Sequence, residues 1–354
     1  MKKFNLFSLL FLFSVIVFAE APKGYYDSAE GKTNNNLRLA LQGIIRNHTV
    51  LSYDNLEAYY PSVDATADGK VWDMYSTCNF EFSNANCSQK KVCDCWNKEH
   101  TVPQSWFGKG SPMKSDLFHV YPTDARVNNF RSNYPYAETS STGYVAGSSQ
   151  ALGRLGSSIT TGFLGTVYEP DDEFKGDIAR TYFYMATRYA DKCANWGGQT
   201  FSSASNGLTT AAAALFLKWH RQDPVSDKET SRNDAVFVHQ HNRNPFIDNP
   251  ELAEFIWGTK QGQSWYQTST PIEQVTFSNL HIYPNPASQV ISVTTDDVIE
   301  KFVYTIFAVS GQKLLCGTAQ PNDLISIEHL NEGVYLLQID ADTKKQIVKL
   351  VVTK

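Results

Sequence analysis

The periodicity of this chain changes once, across residues 259–278, and that change limits what it can fold into. Upstream, apolar residues recur at helical spacing. Leu37, Leu41, Ile44 and Ile45 fall at i, i+4, i+7 and i+8 behind Thr33, a residue able to cap a helix. Further helices are expected over about 177–192, over 207–220 and, for a turn or two, over 250–257. A short helix through Leu56–Tyr60 should stop at Pro61. Val71–Met74 reads as a strand, and 131–170, rich in Ser, Gly and Tyr, as long loops with short strands. Downstream, the apolar runs are short and β-type: Leu280–Tyr283, Val290–Val293, Phe302–Val309, Leu324–Ile327, Val334–Ile339 and Ile347–Val352. Turn signals such as Pro284-Asn285-Pro286 and Asn331-Glu332-Gly333 separate them. The stretch between is polar and without period, as a linker is. The expected class is α+β: a mainly helical domain over 22–258, a linker over 259–278, and a small all-β sandwich over 279–354.

Composition removes some alternatives. Of 354 residues, 42% are hydrophobic and 19% charged, which excludes a chain without a core. The net charge of −5 excludes a globally basic coat, so a polyanion would have to meet a local cleft. At the N-terminus, Lys2 and Lys3 precede an apolar run from Leu6 to Phe18 and the small residues Ala19-Glu20-Ala21. That pattern is an export signal, cleaved after Ala19 or Ala21 and too short to span a bilayer. Export changes the meaning of the cysteines. Cys78, Cys87, Cys93 and Cys95 crowd into one segment, while Cys193 and Cys316 stand alone. A zinc knot with His100 is the rival reading. The C-x-C spacing and the oxidising compartment favour disulfides, in any of three pairings.

Chemistry concentrates in residues 97–136. From Ser88 to Arg131 there are seven cationic and four anionic side chains, a balance of +3 within a chain of net −5. A positive patch around the adjacent carboxylate and imidazole of Glu99 and His100 suits a phosphodiester. Hydrolysis needs a base for water and a cation for the phosphoryl oxygens. Histidine titrates near neutrality and can be the base. Mg²⁺ keeps several waters and needs one or two protein oxygens, such as the carboxylate of Glu99 and an amide oxygen of Asn128. Neighbours on a strand face opposite ways, so both Glu99 and His100 can serve one site only if the strand ends or bends there. Pro103 makes an ending plausible.

Glu99-His100-x-x-Pro103-Gln104-Ser105-Trp106-Phe107, then Asp116-Leu117, Pro122 and Val127-Asn128-Asn129-x-Arg131-Ser132-Asn133-Tyr134-Pro135, closely resemble the endonuclease I family. The likeness extends to Lys70–Tyr75, Lys175–Arg180 and Asn242–Asp248 and covers nearly all of 24–258. It implies an exported nuclease built around a ββα-metal (His-Me) finger, cleaving DNA and often RNA with little sequence preference. Carried over by position, His100 would be the general base. Glu99 and Asn128 would hold one Mg²⁺, or another divalent ion such as Mn²⁺ or Ca²⁺. Arg131 would face the phosphate or brace the finger. Where many members read Asp-Leu-His, this chain has Asp116-Leu117-Phe118-His119, so His119 receives no role. Asp116 is expected to be a buried orienting carboxylate, with an ion pair to Arg131 as one option.

Lys175, Arg180 and Arg243 are candidates for the nucleic-acid groove, and His239-Gln240-His241 places two imidazoles on one strand face. In the last 75 residues, Ile282–Ala287, Val309–Gln312 and Leu330–Tyr335 resemble the C-terminal sorting domain of type IX secretion. That implies export to the cell surface or medium, with the secretion machinery as a partner. The nuclease resemblance implies nucleic acid as the substrate, and a monomer with no membrane span in the mature protein is expected. A catalytically inactive surface adhesin on the same fold is the alternative. An esterase is disfavoured, since no G-x-S-x-G elbow occurs.

Overall fold

The computed structural model describes residues 21–203, 206–267, 277–308, 312–341 and 344–354. The export signal, the middle of the expected linker and most of the Val309–Gln312 turn lie outside them. The chain forms two compact units that divide between Gln267 and Thr268.

The first unit runs α1 (Asn34–Ile45), α2 (Tyr60–Val63), β1 (Trp96–His100), β2 (Val120–Asp124), α3 (Ala125–Arg131), β3 (Arg154–Ser157), β4 (Thr166–Glu169), α4 (Lys175–Arg188), β5 (Phe201–Ser202), β6 (Gly207–Leu208), α5 (Thr210–Gln222), α6 (Asp227–Gln240), α7 (Pro245–Asp248) and α8 (Leu252–Ile256). Its strands pair only locally, β1 with β2, β3 with β4 and β5 with β6, so the core is built on helices. Every residue of α4 is buried. Helices α1 and α5 pack against it, α1 through Leu37, Leu41 and Ile45. Burial of each such side chain contributes roughly 1.5–3 kcal/mol. A helix buried on all sides can carry charges only if each finds a partner, and that requirement decides the fate of several basic residues below.

Some expectations need correction. Residues 71–74 form no strand; Val71 makes a single bridge to Ala65. Pro61 does not stop a helix but lies in the first turn of α2, where its fixed φ suits the helix and its missing N–H is no loss. The predicted strand at His239–His241 is the end of α6. Ser226 and Glu229 form a reciprocal capping box that starts this helix, and His241, at φ 61°, ends it. The two rings therefore part, His239 to Ser62 and His241 to Thr49. The polar run Asp227–Asp234 hid the helical period.

The disulfides join Cys78 to Cys93 and Cys87 to Cys95, so the cysteines make no zinc knot. Cys193 is free and buried; Cys316 is free and exposed. Packing of the first unit also continues into the stretch assigned to the linker. Trp265 is fully buried, its N–H donates to Lys32 and its carbonyl accepts from Gly31. One aromatic anchor in a polar run leaves no periodic trace.

The second unit holds β7 (His281–Tyr283), β8 (Val290–Thr294), β9 (Phe302–Ala308), β10 (Lys313–Ala319), β11 (Ile325–Ser326), β12 (Gly333–Ala341) and β13 (Lys344–Val352). One sheet has the order β10-β9-β12-β13 and the other β11-β8-β7, all antiparallel. Ile291 and Val293 from one sheet and Ile306, Leu337, Ile339 and Leu350 from the other share a single core. No apolar run marks β10, a largely exposed edge strand interrupted by Gly317.

Candidate active site

Strands β1 and β2 pair antiparallel from Trp96↔Asp124 to His100↔Val120. Helix α3 starts at once, because Asp124 accepts the N–H groups of Arg126 and Val127, each at 2.9 Å. This places α3 against β1. Asn128 Nδ2 donates to Asn97 Oδ1 at 2.8 Å and to the Lys98 carbonyl at 3.4 Å. One turn on, Arg131 donates to the carbonyls of His100, at 3.0 Å, and Thr101. It also lies 3.0 Å from Oε1 of Glu99.

Strand β1 ends at His100, before Pro103, and Glu99, His100, Asn128 and Arg131 all line one groove of about 520 Å³. Its other walls are polar, with Asn97, Gln104 and Asn133 among them. Glu99 is buried. Its Oε1 accepts from Tyr75 at 2.8 Å as well as meeting Arg131, and burial pushes its carboxyl up against the downward pull of that guanidinium. His100 is buried too, and its imidazole is pushed down to about 3, first by burial and then by the neighbouring His119. It is thus uncharged at neutral pH. Its Nε2 lies 3.0 Å from the Lys114 carbonyl. His119, with its ring centre 5.5 Å away, directs its own Nε2 to the preceding carbonyl, that of Met113, at 2.6 Å. Both rings therefore carry the proton on Nε2, which leaves the Nδ1 of His100 as a lone-pair acceptor.

Among the described residues no three His, Cys, Asp or Glu side chains gather as a metal cluster. A hard divalent ion that keeps its waters does not need one. The donors that fit it are the carboxylate of Glu99 and the amide oxygen of Asn128, whose nitrogen is already engaged.

The basic residues expected along the groove are elsewhere. Lys175 pairs with Glu169 at 2.8 Å and Asp172 at 2.6 Å. Arg180 is fully buried between Glu229 and Asp177. Arg243 is held by Asp248 at 2.8 Å and Asp234 at 2.7 Å. Lys175 and Arg180 belong to the all-buried α4, which explains their partners. Asp116 is buried and accepts from Tyr184 and Tyr189, each at 2.8 Å, and from Gln240 at 3.0 Å. Arg131 pairs with Glu99 and not with Asp116. Sequence reasoning missed Tyr75, which holds Glu99, and Tyr53, whose ring stacks on His100 at 5.7 Å. Nothing in the spacing marks either one. His119 could have been found, one position beyond its motif.

Residues 33–251 match the Endonuclease I family. The chain belongs to the endonuclease I family. This family member also carries, over residues 281–353, a secretion system C-terminal sorting domain. It is 35% identical over 240 residues to an extracellular ribonuclease of Bacillus subtilis (strain 168), covering 66% of this chain and 78% of that one. The extracellular ribonuclease of Bacillus amyloliquefaciens is 34% identical over the same shares. An extracellular deoxyribonuclease of Aeromonas hydrophila is 27% identical over 154 residues, 44% of this chain and 58% of its own. This endonuclease I family member is thus a nuclease directed to secretion or the cell surface. None of its described helices is long and apolar enough to cross a membrane.

Proposed function

We propose that this protein is an exported, divalent-metal-dependent endonuclease that hydrolyses phosphodiester bonds of DNA and RNA with little sequence preference. The β1–β2–α3 unit acts as a ββα-metal finger. The observation that carries the reading is the bond from His100 Nε2 to the Lys114 carbonyl, in a groove shared with Glu99 and Asn128. It leaves an uncharged imidazole with a bare Nδ1 as general base, able to take a proton from the attacking water. Glu99 and Asn128 would hold the Mg²⁺, or Mn²⁺ or Ca²⁺ in its place. When bound, the ion neutralises charge on the phosphoryl group and the leaving oxygen. Arg131 acts as a positioning residue. By gripping the carbonyls of His100 and Thr101 it fixes the end of β1, and by facing Glu99 it opposes the upward push that burial gives that carboxyl. Water attack in line would leave a 5′-phosphate. A strand-end and helix motif of this size meets backbone before bases, which supports low sequence preference. The sorting domain hands the chain to the secretion machinery, and the enzyme works as a monomer.

The test is a gel assay of plasmid DNA and of RNA with Mg²⁺ against EDTA, run with the full chain and with His100→Ala. Cleavage in Mg²⁺ alone, lost in the variant, is the expected result. Binding without cleavage under all conditions would favour an adhesin.

A further inference from the structure

A nuclease groove needs a cation that a phosphate can reach, and Arg131 is not that cation. It is 1% exposed, and its guanidinium is engaged by two carbonyls and Glu99. Lys98, on β1, is neutralised by Glu57. Lys114 differs. Its Nζ lies 4.3 Å from the centre of the Tyr53 ring, and no carboxylate pairs with it among the described residues. Tyr53 in turn stacks on His100, with ring centres 5.7 Å apart and planes 29° from parallel. The carbonyl of the same Lys114 takes the Nε2 proton of His100. Residue 114 therefore holds the imidazole by its backbone, while its ammonium rests on the ring that covers that imidazole.

We propose that the Lys114 ammonium, steered by Tyr53, contacts a phosphate oxygen of the strand bound beside His100. An ammonium on an aromatic face is pre-oriented yet keeps its donors for a stronger anion. With no protein carboxylate opposite, the phosphate is the countercharge. This inference rests on the nuclease reading.

The test is binding of a fluorescent single-stranded DNA oligonucleotide by the full chain in EDTA, where cleavage cannot intrude, between about 50 and 200 mM salt. The variants are Lys114→Ala, Lys114→Gln and Lys114→Arg, each checked by thermal unfolding. Loss of one phosphate contact should weaken binding and make the slope of log K against log salt shallower by about 0.7. Lys114→Arg should restore the wild-type slope. A purely structural role would weaken binding without changing the slope. Should Lys114→Ala fail to fold, Lys114→Gln against Lys114→Arg gives the same comparison. A wild-type slope in a folded Ala or Gln variant overturns this inference and leaves the nuclease reading standing. A wild-type chain that neither binds the oligonucleotide nor cleaves it in Mg²⁺ overturns both.

Discussion

The Nε2 atom of His100 lies 3.0 Å from the carbonyl oxygen of Lys114. A carbonyl only accepts, so this contact places the imidazole proton on Nε2. The proposed base is therefore set by a backbone atom 14 residues ahead rather than by a carboxylate. His100→Ala should reduce plasmid cleavage by roughly 10²- to 10⁴-fold. Its unfolding midpoint should stay close to wild type, because β1 is anchored by its ladder to β2. Activity within a few-fold of wild type would remove His100 from the mechanism.

Glu99 and Asn128 are the oxygen donors proposed for the cation. Glu99→Gln and Asn128→Ala should each raise the Mg²⁺ concentration for half-maximal activity by at least about tenfold. The readout is a metal titration of plasmid relaxation. Overlapping titration curves for variant and wild type would reject either residue as a ligand.

Arg131 and Glu99 form a buried pair. Arg131→Met would leave the Glu99 carboxylate without its guanidinium and take one donor from each of the His100 and Thr101 carbonyls. A loss of about 3–5 kcal/mol in unfolding free energy is expected, measured by urea denaturation. The double variant Glu99→Gln with Arg131→Met should recover part of that loss, because the stranded charge is gone. Strictly additive losses would show that the two residues do not act as a pair.

Glu254 supplies a pH test outside the groove. Its hydrogen bond from Arg221 holds its carboxyl down at about 2, against an ordinary 4.5. A depressed carboxylate stabilises the fold above its unfolded value and ceases to do so as pH falls through its folded value. This contribution is therefore complete above about pH 4.5 and fades towards pH 2. Between about pH 5 and about pH 3, Glu254→Gln should lose less stability than the wild type does. Equal losses in urea melts at the two pH values would contradict the assignment.

What was legible in the sequence was what lies close along it. Glu99 and His100 are neighbours, Asn128 and Arg131 are one helical turn apart, and the end of β1 follows from Pro103. The core helix α4 announced itself by apolar spacing. Missed residues reach the site from afar in the chain: Tyr75 is 24 residues from Glu99. Burial was equally hidden. Lys175, Arg180 and Arg243 have the composition of a polyanion groove, and only the packing around them shows that carboxylates hold them inside. The cysteine pairing was open for the same reason, since four closely spaced thiols admit several closures. Helix α6 was lost to its polar first turns, although its Ser226–Glu229 cap was there to be read.

Trp265 plugs the nuclease core from beyond α8, with its indole nitrogen 3.2 Å from Glu251. A peptidase that detached the sorting domain would have to cut downstream of this indole to release an intact enzyme. Scission nearer α8 would unseat the plug and unzip the chain from Gly31 and Lys32, so the position of one tryptophan sets the earliest permissible end of a working mature protein.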